Sequence, residues 1–351
     1  MYTEADLQSA VAAGALSHEA AEALRAHAAG LRSAPIADEE HFRLITGFND
    51  IFVTIAAVLL LAAAGGIGAA IAPGIAGLLI AGAAWGLSEF FTSKRRMALP
   101  SIVLLLAFVG GVAAIPINIL AEADPKMSGQ AAALLGAGIG VASGIAAWLH
   151  WRRFMVPITV AAGAGAVVAT VLALVLAAIE PMVGEDRLEA LLLPLVFLAG
   201  LGVFAFAMRW DMSDPARETR RSDVAFWLHL LAAPMIAHPL FNWLGVTEGD
   251  NIGAGSALGV LAIYMLMGIV ALAVDRRALL VSALAYVLIA MTWLFREFGM
   301  VELNVAITGL VIGSALLCLS AFWSPIRAVV VEQLPTAMRT RLPLTARPQP
   351  A

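Results

Sequence analysis

The chain has 351 residues, 61% of them hydrophobic and 13% charged, with a net charge of −4 and a mean hydropathy of +0.91. Soluble domains run about 45–50% apolar and about 25% charged, so this composition points to a membrane protein. It offers no basic surface for a nucleic acid, and the lone Cys318 excludes an intrachain disulfide and a cysteine-based metal site.

Residues 1–40 are polar and read as a small cytoplasmic helical hairpin. Leu7, Ala10 and Val11 line one face of the first helix, and Gly14 stops it. Ser17 is placed to cap the second helix, with Glu19 in its first turn. Ala20, Ala21, Leu24 and Ala28 continue the apolar stripe, and Pro35 closes the unit. So small a hairpin is expected to dock on the membrane domain or on a protein partner. Asp38 to Phe52 then leads into the bilayer, with Asn49 and Asp50 at the mouth of the first span.

Apolar runs follow to Trp323. They predict an all-α, polytopic transmembrane bundle over 41–324, with about ten spans. The runs lie near 51–71, 74–92, 100–121, 130–149, 156–179, 189–208, 224–245, 253–274, 278–296 and 303–323. The first pair is divided only by the turn signal Pro73–Gly74. The connections after the second, fourth, sixth and eighth runs hold Lys94-Arg95-Arg96, Arg152-Arg153, Arg217/Arg220/Arg221 and Arg276-Arg277. The alternate connections are acidic, with Glu122, Asp124, Glu180, Glu185, Asp186, Glu248, Asp250, Glu297 and Glu302. By the positive-inside rule the arginine-rich connections are cytoplasmic, and an even number of spans puts both termini there. The arginine pairs recur at roughly 57, 67 and 56 residues, a spacing that either duplication of a two- or four-helix unit or evenly sized hairpins would produce. Residues 325–351 read as a cytoplasmic tail, mostly disordered, with a short interfacial helix over 326–334.

The seventh run carries the densest polar chemistry. In WLHLLAAPMIAHPLFNW, from Trp227 to Trp243, His238 and Asn242 are four apart and share a face with Trp227, Leu231 and Met235. His229 falls on the other side of an ideal helix. Pro234 and Pro239 free the carbonyls of Leu230 and Met235, which predicts a kinked or broken span. Either the kink is structural, or the freed carbonyls, His238 and Asn242 form a small-solute or proton site near the midplane. On either reading His238 is expected to face the bundle, because a polar group in hydrocarbon is costly. Secondary intramembrane polar groups are Glu89, expected to pair with Arg95 or Arg96, Asn118 after Pro116, and Asp50. No catalytic constellation, metal-ligand grouping or cofactor motif is present; there is no His-Glu-x-x-His pair and no Gly-x-Ser-x-Gly elbow.

DLQSAVAAGALSHEAAEAL, from Asp6 to Leu24, and HFRLITGFNDIFVTIA, from His41 to Ala56, resemble the opening of an uncharacterised class of bacterial multi-pass membrane proteins. The resemblance covers about the first sixth of the chain. It implies a helical bundle in a bacterial inner membrane and transfers no activity to any residue. Two functions fit these features. One is a transporter or permease for a small solute, proton-coupled through His238. The other is a non-transporting sensor, scaffold or assembly protein whose hairpin binds a partner.

Overall fold

The computed structural model describes residues 4–24, 48–123, 125–183, 185–217, 219–246, 254–297 and 304–343. These form helices and their connections, with no strand among the described residues. Two units separate, 1–42 with 346–351 and 43–345. In the first, α1 (Glu4–Ala12) ends where Gly14 takes a φ of 67°. The amide of Ala15 reaches back to the Ala10 carbonyl at 2.9 Å, closing the C-terminal turn. Ser17 Oγ accepts from the Ala20 amide at 3.1 Å and caps α2 (18–24), as its position predicts. Ala28, Pro35 and the lead-in over 38–47 lie outside the described residues.

The second unit contains the apolar runs, each of which becomes one helix. These are α3 (Phe48–Ile71), α4 (Ile75–Ser88), α5 (Ala98–Ala123), α6 (Gly129–Phe154) and α7 (Ile158–Val183). They continue with α8 (Glu185–Met212), α9 (Arg220–Trp243), α10 (Ala254–Val274), α11 (Ala278–Glu297) and α12 (Asn304–Ala321). Among the described residues eight helices are long and apolar enough to cross a membrane: α3, α4 with its π-helical continuation to Lys94, and α5 to α10. The described apolar part of α11, Ala278–Thr292, is shorter, and α12 meets α13 (Trp323–Glu332) at a 75° bend. The chain is therefore a multi-pass helical membrane protein. The turn between α3 and α4 is made at Gly74, whose φ is 84°.

The helices pack mainly as sequential hairpins, α4 on α5, α6 on α7, α8 on α9 and α10 on α11. Without hydrophobic drive inside a bilayer, such contacts depend on close backbone approach. A Cβ on Gly77 would sit 2.5 Å from the Gly111 carbonyl oxygen of α5, and one on Gly200 would sit 2.9 Å from the Met235 Cβ of α9. Those two glycines are separated by about 120 residues, an interval at which other features recur. Arg96, Met155, Arg217 and Asp275 hold positive φ in the turns after α4, α6, α8 and α10, which recur every two helices. Glu89 after α4 and Asp211 on α8 each meet an arginine, 64 and 65 residues further on. α3 packs on α4 and α5 as α7 packs on α8 and α9. These contacts recur at a four-helix interval, the positive-φ turns at a two-helix one.

Two expectations are corrected. α9 is one continuous helix through Pro234 and Pro239, neither broken nor unwound. Proline is tolerated inside a membrane helix, and the buried alanines beside both prolines pack α9 against its neighbours. The segment after Trp323 is structured as far as Pro343, forming α13 and α14 (Thr336–Arg339). It is held by the ionic contacts described next, which lie too far apart in the chain for its composition to reveal. Residues 344–351 lie outside the described set.

Candidate functional site: a buried ionic network at the arginine-rich end

Small residues decide which face of α9 packs. Ala225, Ala232, Ala233 and Ala237, with Val224, Leu228, His229 and Phe241, are buried. His238 is one residue, about 100°, beyond Ala237 and falls outside that stripe. It is exposed, and its Nδ1 lies 2.7 Å from the Tyr286 hydroxyl of α11. The expected inward placement of His238 is thus corrected. Asn242 is half-buried, Pro234 exposed and Pro239 buried. His238 and Asn242 therefore do not form an enclosed polar site. His229, read as the less constrained histidine, is wholly buried.

His229 leads to the chemistry that the sequence reading missed. Its Nε2–H donates to Asp211 Oδ2 at 2.8 Å. Asp211 sits in the last turn of α8, and its Oδ1 accepts from Arg276 Nη2 at 2.5 Å. The same nitrogen donates to the Ser222 carbonyl at 3.0 Å and the Ser222 Oγ at 3.1 Å, in the first turn of α9. Asp211, Ser222, His229 and Arg276 are all buried. His229 Nδ1 has no hydrogen-bond partner among the described residues, and the Phe204 ring lies 5.1 Å from the imidazole.

A second centre adjoins the first, one residue back in the α10–α11 turn. Asp275 adopts a φ of 60° there. Its Oδ2 accepts from Arg217 Nη1 at 2.7 Å, and its Oδ1 from the Trp323 indole N–H at 2.7 Å. Arg327 of α13 lies 3.6 Å away on the same carboxylate and donates to the Pro343 carbonyl at 2.7 Å. Arg217 Nη2 also donates to the Val274 and Asp275 carbonyls, at 3.1 and 2.9 Å. Burial, ahead of the like charge on Arg276, draws the Arg217 guanidinium below its ordinary value. It remains the charged partner of Asp275. The Arg277 guanidinium lies 5.0 Å from the centroid of the Trp323 ring. Asp214 accepts from the Thr219 amide and hydroxyl at 2.9 and 2.7 Å, and Thr219 in turn caps α9.

The network thus joins α8, α9, the α10–α11 turn and α13. Three aspartates, Asp211, Asp214 and Asp275, lie among Arg217, Arg276 and Arg327, so the buried charge is nearly balanced. The visible signal was acid in connections otherwise counted for their arginines. Chemically, the arrangement can hold helix ends together and keep one carboxylate–imidazole pair away from water.

The other polar residues fall elsewhere. Glu89 pairs with Arg153 rather than with Arg95 or Arg96, through a fork of 2.8 and 2.6 Å. The reason is local: the π-helical segment Glu89–Lys94 alters the facing of the following turn, and Arg95 lies over the Phe90 ring instead. Asp50 is buried in the first turn of α3, and Asn118 is half-buried on α5. A second fully buried histidine, His150, sits among Trp85, Phe108 and Phe154, with Thr159 Oγ1 3.4 Å from its Nδ1. No grouping of three His, Cys, Asp or Glu suited to a metal ion occurs among the described residues. The chain matches no family model, no curated protein and no solved structure.

Proposed function

We propose that the chain is a ten-span bacterial inner-membrane protein with its arginine-rich connections in the cytoplasm, and that it works as a non-transporting scaffold. The observation that supports this reading is the buried network on Asp211 and Asp275, which ties three helix ends and α13 together at the arginine-rich end. The small N-terminal hairpin is its partner-facing element. The small-solute transporter reading drew on a broken α9 and an inward His238; the continuous helix and the exposed His238 remove both supports.

The test needs no substrate. In a Cys318→Ser background, Ala232→Cys, Ala233→Cys and Ala237→Cys place thiols one at a time on the packed face of α9. A scaffold leaves all three unreactive to a small water-soluble maleimide in intact membranes, with or without a proton gradient. Labelling of Ala233→Cys or Ala237→Cys would reveal an aqueous path along α9 and return the protein to the transporters.

A further inference from the structure

α12 has 18 residues, a length of about 27 Å. The hydrocarbon core is about 30 Å thick. A helix of that length crossing the bilayer brings its end close to the hydrocarbon boundary. There the chain turns by 75° at Phe322, so that α13 runs nearly across the axis of α12. One face of α13 is fastened to protein: Trp323, Arg327 and Val331 are buried, the first two on the Asp275 carboxylate. The opposite face presents Phe322, Ile326 and Val329, all exposed. With Pro325 and with Ala315, Cys318 and Leu319 of α12 these line an open, almost wholly apolar groove inside the elbow. The segment that follows α13 carries exposed Arg339 and Arg341, charges that anionic headgroups attract.

We infer that α13 is an in-plane helix at the arginine-rich face of the membrane, and that the α12–α13 elbow seats one acyl chain of a phospholipid from that leaflet. Each observation restricts the occupant. The lining has no polar group suited to a peptide backbone or a hydrophilic ligand. The groove opens from the end of α12, an apolar helix nearly as long as the hydrocarbon core is thick, where lipid tails are the surrounding apolar material. An in-plane helix with one apolar face is the usual form of an interfacial anchor. Most such anchors are held by lipid alone; here the far face is fixed by Asp275, so the groove keeps its shape. The inference rests on the membrane reading above and adds a partner to it.

The native Cys318 is exposed and lines the groove, so it serves as the reporter. The full chain, labelled there with bimane, is placed in nanodiscs of phosphatidylcholine and phosphatidylglycerol. Quenching by lipids brominated near the glycerol end of the acyl chain is compared with quenching by aqueous iodide. A seated chain makes the lipid quenching the stronger of the two, and Val329→Trp, which fills the groove, lowers it. A control label is carried by Leu310→Cys in a Cys318→Ser background, on the exposed face of α12. If lipid quenches the control but iodide dominates at Cys318, the groove is water-filled and the inference falls alone. If neither site is lipid-quenched, the membrane reading of α12 falls with it. Efficient Cys318–Cys318 crosslinking between molecules in place of lipid quenching would make the occupant a second copy.

Discussion

Asp211 shows how a buried charge acts when its partners come from distant parts of the chain. Its carboxylate satisfies both His229 and Arg276, and all three are closed to solvent. Exchanging a whole buried ion pair for apolar groups is often neutral, whereas removing one member leaves an uncompensated charge. Asp211→Asn is therefore expected to destabilise the protein by about 3–5 kcal/mol, read as a lower thermal midpoint in detergent. The double variant Asp211→Asn/Arg276→Met should recover part of that loss, because the stranded guanidinium is gone. Additive losses would show that the two side chains do not act as a pair. The acids themselves were visible in the sequence, but their pairing was not. Orientation rules count basic residues and pass over acids, and a partner 65 residues away leaves no local mark. Gly14 and Ser17 were legible for the opposite reason, since a cap and its helix are neighbours in the chain.

At the scale of the element, the apolar runs translated into helices α3 to α12 with ends displaced by a few residues, because a run of that length has few other ways to satisfy its backbone in lipid. Pro234 and Pro239 predicted a kink or a break, and α9 passes through both without a break. Hydropathy also could not tell His238 from His229, since lipid and helix interior are equally apolar; the alanines marked the packed side. Close contacts between helices are where single substitutions should be most revealing. Gly77→Ala drives a methyl against the backbone of α5, which cannot step aside, and should cost about 1–3 kcal/mol. Gly66→Ala on α3 meets nothing within 4 Å and should leave the melting temperature unchanged or raise it slightly. Equal melting temperatures for the two variants would mean that α4 and α5 are not so closely apposed.

For the whole molecule the decisive measurement is topology. The arginine-rich turns after α4, α6, α8 and α10 lie on one side, if the helices alternate as the charge pattern requires. Reporter fusions after Arg96, Arg153, Arg221 and Arg277 should give cytoplasmic signals, and fusions near Asp124, Asp186 and Asp250 external ones. Two reversals would defeat the ten-span arrangement. In the sequence the arginine pairs left a two-helix and a four-helix unit equally open. Gly77 with Gly200, and Glu89–Arg153 with Asp211–Arg276, favour the longer unit because they match in contact as well as in spacing.

The long reach of that ionic contact also has a consequence in time. A ribosome adds about 5–20 residues per second, so Asp211 is made several seconds before Arg276, the residue 65 positions later that neutralises it. Asp275 then waits through a further 48 residues for Trp323. During those intervals the ends of α8 and α10 carry carboxylates that hydrocarbon will not accept. They are held at the aqueous face of the inserting chain until the later hairpins arrive. The order of synthesis thus makes α13 the last element to reach the Asp275 carboxylate.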